Sequence, residues 1–195
     1  MPTKSAVYTV GHSTRSLDDF VALLRVYGIE RLVDVRTIPR SRHNPQFNYD
    51  ALGPSLRNHR IGYRHMKELG GLRHARPDSP NAGWHNASFR GFADYMQTPE
   101  FAAAMSKLVA LAKEKTTAIM CAEALPWRCH RSLIGDALIV RGIRVVDIYS
   151  PKYAKLHVIT PIAKVNGTRV TYPAQADGGD LYAALTSASR RRDVP

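Results

Sequence analysis

Cys121, Glu123, Arg128, Cys129, His130 and Arg131 lie within eleven consecutive residues, and both cysteines of the 195-residue chain are among them. A thiol beside cations ionises readily and becomes a nucleophile or a metal ligand. A carboxylate and an imidazole can exchange protons, and guanidinium groups hold anions through paired N–H donors. The stretch therefore has the groups for nucleophilic or acid-base chemistry on an anionic substrate. Metal binding and thiol redox chemistry use the same residue types.

Each residue also has a plainer use. Cys121 ends the apolar run TAIMC and could serve as a small packing residue. Glu123 is a general acid or base if desolvated, and otherwise a salt-bridge partner for an arginine. His130, at the start of a helical pattern, could bind a ligand, move a proton or cap the helix. Two sharper motifs do not fit. The cysteine-phosphatase loop places Arg six residues after Cys, where this chain has Trp127, with Arg128 one further on and Pro126 removing an amide donor. A structural zinc site usually contains a C-x-x-C pair, which is also the spacing of redox dithiols. Cys121, Cys129, His130 and His12 could be assembled only by folding.

The elements that must position these groups follow from hydrophobic periodicity. Ala6–Val10 reads as a strand ending at Gly11-His12-Ser13. Ser16 is an N-cap for a helix that uses Leu17, Phe20, Val21 and Leu24 and stops at Gly28. A second strand, Arg31–Val35, completes a βαβ unit, which predicts parallel strands and a right-handed crossover. Asn48 is expected to cap a helix over Tyr49–Asn58, and Ile61–His65 alternates as a strand. Ser88 is expected to cap Phe89–Met96, and Thr98-Pro99 opens a longer helix reaching Lys115. Ala118–Cys121, the helix Arg131–Arg141 and the strand Arg144–Ile148 form a second βαβ unit. Lys155–Thr160 and KVNGTRVTY suggest a terminal hairpin with a two-residue turn. The fold class is α/β, with an open, mostly parallel sheet, helices on both faces and a C-terminal β-hairpin. An α/β domain over 1–160, with a basic, loop-rich insertion over 36–90, would be followed by a hairpin and basic tail over 161–195. The tail contains Arg190-Arg191-Arg192, for which disorder is the expectation.

In such sheets ligands bind where the strands end at their carboxyl side. Those ends carry His12 and Ser13, Asp34 and Arg36, Cys121 and Glu123, and Asp147 to Tyr149. Arg36 and Arg131 are the residues assigned to an anion, with Ser13 and Arg42 beside them, and Asp34 is placed to orient an arginine. Cys121, Glu123, His130 and His12 are the candidates for catalysis, with Cys129 in an orienting role.

Charge narrows the class of partner. Lys and Arg number 28 against 16 acidic residues, giving a formal charge of +12. Twenty of the 28 are Arg, the side chain suited to phosphate. Residues 36–90 hold ten basic and three acidic side chains, so this segment alone supplies +7, together with five of the eight histidines. A nucleotide or nucleic acid is the expected partner. No apolar run reaches the roughly 20 residues of a membrane span. No signal-peptide pattern is present at the N-terminus, so a cytoplasmic location is expected. No cofactor is expected, and the oligomeric state is open, with a homodimer one option.

Four separated motifs, TVGHSTRSLDDF, LVDVRTIPRSRHNPQF, YRHMKELGGL and CAEALPWRCHRSLI, resemble the bacterial family called domain of unknown function 488. The resemblance runs from about Tyr8 to His157. It implies a single Rossmann-like α/β domain and brings no settled activity, cofactor or substrate. The family's signature positions fall on Gly11, His12, Ser13, Asp34, Arg36, Pro39, Ser41, Gly70, Gly71, Cys121, Glu123, Cys129, His130 and Arg131. Residues and resemblance together suggest a hydrolase or transferase acting on a nucleotide or nucleic acid, with Phe47, Tyr63 and Trp84 as base-stacking candidates. A non-catalytic nucleic-acid-binding module and a thiol or metal redox site are the alternatives.

Overall fold

The computed structural model describes residues 6–174. Six short strands form one sheet: β1 Ala6–Gly11, β2 Arg31–Asp34, β3 Gly62–His65, β4 Thr117–Cys121, β5 Arg144–Ser150 and β6 Tyr153–Leu156, in the order β3-β2-β4-β1-β5-β6. All neighbours are parallel except β5 and β6. Every residue of β4 is buried, as expected for a central strand covered on both faces.

Among the described residues five helices cover the sheet: α1 Leu17–Val26, α2 Tyr49–Asn58, α3 Ala87–Tyr95, α4 Pro99–Glu114 and α5 Arg131–Ile139. The direction of each crossover decides its face. The connections β1 to β2 and β2 to β3 run one way along the sheet, whereas β3 to β4 and β4 to β5 run the other way. With right-handed crossovers, α1 and α2 must share one face and α3 to α5 the other. The core divides accordingly. Phe20, Leu24, Leu52 and Leu56 pack on Val10, Leu32, Ala118 and Met120. Phe92, Phe101, Leu108 and Leu133 pack with Val7, Val33 and Ile119 in a second cluster. Alternate residues of β4 thus feed opposite cores, the period-two consequence of a strand.

Several helix boundaries match their caps. Ser16 accepts from the Asp19 amide, Thr98 accepts from the Phe101 amide, and Gly28 takes a φ of +62° after α1. Two caps differ from expectation. Asn48 precedes α2, but its side chain accepts instead from the Ser41 amide and so ties down the preceding loop. α3 is capped by Asn86, whose Oδ1 accepts from the Ser88 and Phe89 amides, so the helix begins earlier than a Ser88 cap allows. The C-terminal pairing also differs. Tyr153–Leu156 adds to the main sheet as an antiparallel edge, and the separate hairpin is β7 Lys164–Asn166 with β8 Arg169–Thr171. Gly167 supplies the positive φ, +59°, at its two-residue turn.

Within 36–90, α2 and β3 are part of the layered fold, and residues 73–86 form an irregular span. That span is held down by Asp94, which accepts from Ser79, Asn81 and the Arg76 amide. Gly91 allows the close approach, since a Cβ there would lie 2.4 Å from the Arg73 carbonyl oxygen. The hairpin packs into the larger core through Ile162, Val170 and Tyr172. The arginines at 190–192 lie outside the described residues. Among the described residues no helix is long and apolar enough to cross a membrane.

Candidate functional site

β4 is flanked by β1 and β2, whose following helices lie on the face opposite to α5. The chain therefore diverges where these three strands end, and the divergence leaves a crevice. A cleft of about 910 Å³ opens there. After β1 it is lined by His12 and Ser13, after β2 by Arg36 and Arg40, and after β4 by Cys121, Glu123, Arg128, Cys129 and His130.

Arg36 is the best-fixed of these groups. Its Nε and Nη2 donate to the two oxygens of Asp34 at 2.9 and 2.6 Å, and Nη2 also donates to the Phe47 carbonyl at 2.7 Å. Asp34, fully buried, takes a further bond from the Tyr63 hydroxyl at 2.8 Å. Burial and the Asp34 carboxylate both raise the Tyr63 hydroxyl's pKa, so it stays protonated and donates. His12 stacks on Phe47 with ring centroids 4.1 Å apart. Its Nδ1 lies 2.8 Å from the Ser13 carbonyl and its Nε2 3.2 Å from Arg36 Nη1. Both contacts are satisfied by the neutral tautomer that carries its proton on Nδ1 and accepts at Nε2. Burial lowers the His12 pKa to about 4 and keeps the ring in that neutral form. Of the five guanidinium protons of Arg36, these bonds use four, and one Nη1–H is left for a ligand.

Arg131 sits differently from Arg36. It is fully buried and does not line the cleft. Its Nη2 donates to the Glu123 carbonyl at 2.6 Å, and Nη1 lies 3.4 Å from Thr9 Oγ1. It therefore clamps the β4–α5 loop from beneath. Gly11 serves the same loop, because a Cβ at that position would lie 1.8 Å from the Glu123 carbonyl oxygen. The amides of His12 and Ser13 donate to the carbonyls of Cys121 and Ala122, extending the β1–β4 ladder beyond the strands. Ser13 adopts a left-handed φ of +52° to do so, a conformation that a non-glycine residue holds only when its surroundings enforce it.

The Glu123 side chain is exposed at the cleft. Cys121 and Cys129 are both free and buried, and with His130 they form a tight group whose ligand atoms all lie within 4.8 Å of one another. Cys129 Sγ is 3.6 Å from His130 Nδ1, and His130 Nε2 is 3.1 Å from the Val35 carbonyl. The two thiols titrate together. Burial raises the Cys129 pKa, but hydrogen bonds from Cys121 and the neighbouring His130 and Arg131 outweigh it and bring it down. Cys121 moves up, through its bond to Cys129 and through burial. Of the two thiols, Cys129 is therefore the one that gives up its proton more readily.

The structure thus brings His12, Ser13, Arg36, Cys121, Glu123, Cys129 and His130 to one cleft. Asp34 lies behind Arg36, and Arg131 lies below the loop. Arg42 is exposed and is not among the lining residues. Asp147 faces away, into a buried network in which it accepts from Thr9 at 2.6 Å and pairs with His157 at 2.8 Å. Phe47 and Trp84 are buried, and Tyr63 is engaged by Asp34, so these aromatic side chains pack instead of facing the cleft. Arg40 and the aromatic Phe89 line the cleft without having been singled out. Arg40 sits on a loop without periodicity and Phe89 in the first turn of α3, and only their basic and aromatic character could have flagged them.

Comparison with curated proteins gives no match, and comparison with solved structures gives none. A family model does match, over residues 16–138, which is more than half of the chain and includes Asp34, Arg36, Cys121, Glu123, Cys129 and His130. The chain belongs to the family described as Domain of unknown function DUF488.

Proposed function

We propose that this protein is an enzyme, a hydrolase or transferase, that binds a phosphate-bearing substrate such as a nucleotide or nucleic acid in the cleft. The carrying observation is the composition of the lining: among the described residues it holds three guanidinium groups, Arg36, Arg40 and Arg128, and one carboxylate, Glu123. Arg36 presents one unspent N–H from a position fixed by Asp34, Phe47 and His12, so it can receive an anion without reorganisation. Arg40 and Arg128 are exposed and add charge at the rim. In this reading His12 is a positioning residue that acts through Arg36, and Arg131 positions the loop that presents Glu123. Glu123 exchanges the proton, and Phe89 offers a face for a base.

The test is a screen of nucleoside phosphates and short single-stranded oligonucleotides for binding and turnover, followed by Glu123→Gln. Turnover is expected to fall at least about 100-fold with binding retained, the size of a lost general acid or base. Binding without turnover in the wild-type chain would favour a non-catalytic nucleic-acid module. Unchanged turnover in Glu123→Gln would remove Glu123 from the chemistry.

A further inference from the structure

Cys121 and Cys129 are eight positions apart in the chain, with seven residues between them, and belong to different elements. Cys121 closes β4, and Cys129 follows a single 3-10 turn, Pro126–Arg128, which folds the chain back toward the strand end. His130 comes next and starts α5. We propose that Cys121 Sγ, Cys129 Sγ and His130 Nδ1 bind a divalent ion of borderline softness, zinc being the best fit, with a fourth coordination position open to the cleft.

Geometry carries the proposal. All three donor atoms lie within 4.8 Å of one another. With Zn–S about 2.3 Å and Zn–N about 2.0–2.1 Å, a tetrahedral ion holds its sulfur and nitrogen ligands about 3.6 Å apart. Cys129 Sγ and His130 Nδ1 are separated by 3.6 Å. The imidazole is also set up as a ligand. Its Nε2 faces the Val35 carbonyl at 3.1 Å and, as donor, leaves the Nδ1 lone pair directed at the sulfur. A backbone carbonyl on the far nitrogen is the usual outer-shell partner of a metal-bound histidine. The ring has little freedom to turn away, since a Cβ on Gly71 would lie 2.5 Å from Nδ1 and Phe92 packs at 5.0 Å between centroids.

The donor set selects the ion. Two sulfurs and an imidazole suit zinc and exclude hard cations such as magnesium and calcium, which take oxygen ligands. Among the described residues the group contains three protein donors, and all three line the cleft. Three protein ligands with an accessible fourth position are the pattern of a reactive zinc, whereas a purely structural site has four. His12 does not complete the set, because its Nε2 is engaged by Arg36.

The proposal stands apart from the anion reading because its readout is metal stoichiometry, not turnover. Reduced full-length protein would be loaded with Zn²⁺, freed of excess ion and analysed for metal, and a parallel sample loaded with Co²⁺ for absorption spectroscopy. One zinc per chain is expected, with a thiolate-to-cobalt charge-transfer band in the near ultraviolet. Cys121→Ser and Cys129→Ser should each weaken that band, and His130→Ala should lower zinc affinity at least about tenfold. The wild-type cobalt spectrum requires no variant to fold, so it tests the thiolate ligands even if the serine variants are unstable. A reduced wild-type chain with two titratable thiols that retains no zinc would overturn the proposal. So would stoichiometric zinc that persists in the Cys121→Ser/Cys129→Ser double variant.

Discussion

Gly71 and Gly11 occupy positions where no side chain fits, and in each case what excludes it belongs to the site. At Gly71 the obstruction is the His130 ring, and at Gly11 it is the backbone of the loop that carries Glu123. Gly71→Ala must therefore push the imidazole aside. Overpacking of this kind costs about 1–3 kcal/mol, so the urea midpoint should fall by a corresponding amount. Gly11→Ala should cost at least as much, because its obstruction is backbone and not the end of a flexible side chain. Asp34 is constrained by charge. Asp34→Asn would leave the Arg36 guanidinium buried without its carboxylate, and removing one partner of a buried pair costs about 3–5 kcal/mol. The same variant should weaken anion binding, because Arg36 would no longer be held at the cleft, and a binding titration on the folded fraction checks this.

At the scale of elements, α5 does more than cross over between strands. Its first residue, Arg131, fastens the β4–α5 loop, and its Asp136 anchors a buried network that reaches β5 and the end of the hairpin. His157 bridges Asp147 at 2.8 Å and Asp136 at 3.2 Å, while the Tyr172 hydroxyl donates to Asp136 at 2.8 Å. Burial disfavours charging His157, but its hydrogen bonds to the two carboxylates and their charge outweigh this and push its pKa up from 6.5 to about 10. The folded protein thus holds a proton that the unfolded chain releases between those two values. The stabilisation is complete below pH 6.5 and is lost as pH rises through about 10. Denaturation midpoints measured across that window should decline, and His157→Gln should flatten the decline. Arg131→Met should destabilise by about 3 kcal/mol or more, since the loop carbonyls would lose their donor in a buried setting.

Much of this architecture is legible in the sequence, for identifiable reasons. The buried strands β1, β2, β4 and β5 are short runs rich in β-branched and other apolar residues, and the turns between them carry explicit caps at Ser16, Gly28 and Thr98. The convergence of His12, Arg36, Cys121 and Glu123 then follows from the strands being parallel. What periodicity does not carry is the direction of a side chain at an element's end. Arg131 at a helix start suggests an anion-binding group, yet the carbonyls it meets belong to a loop whose path depends on Gly11. Asp136, Asp147 and His157 come from three separate segments, and no spacing rule joins them. The proximity of Cys121 to Cys129 depends on one 3-10 turn, which is why the C-x7-C-H spacing has no diagnostic value by itself.

For the molecule as a whole, the formal charge of +12 gives a long-range attraction toward polyanions, and in the proposed function the cleft sets where a phosphate would be held. The two contributions separate by salt. Binding to an oligonucleotide should weaken steeply as salt rises, with a slope set by the number of phosphates neutralised. The contribution of Arg36, partly shielded in the cleft, should be less sensitive.

The most direct measurement is a calorimetric titration of the best-binding nucleotide from the screen into the wild-type chain, Arg40→Ala and Arg128→Ala, with circular dichroism confirming the fold of each. Both side chains are exposed, so their loss should leave stability unchanged. A charge-assisted hydrogen bond contributes about 1.5–3 kcal/mol, so affinity should fall roughly tenfold to a hundredfold in at least one variant. Undiminished affinity in both would contradict a phosphate held by the arginines of this cleft.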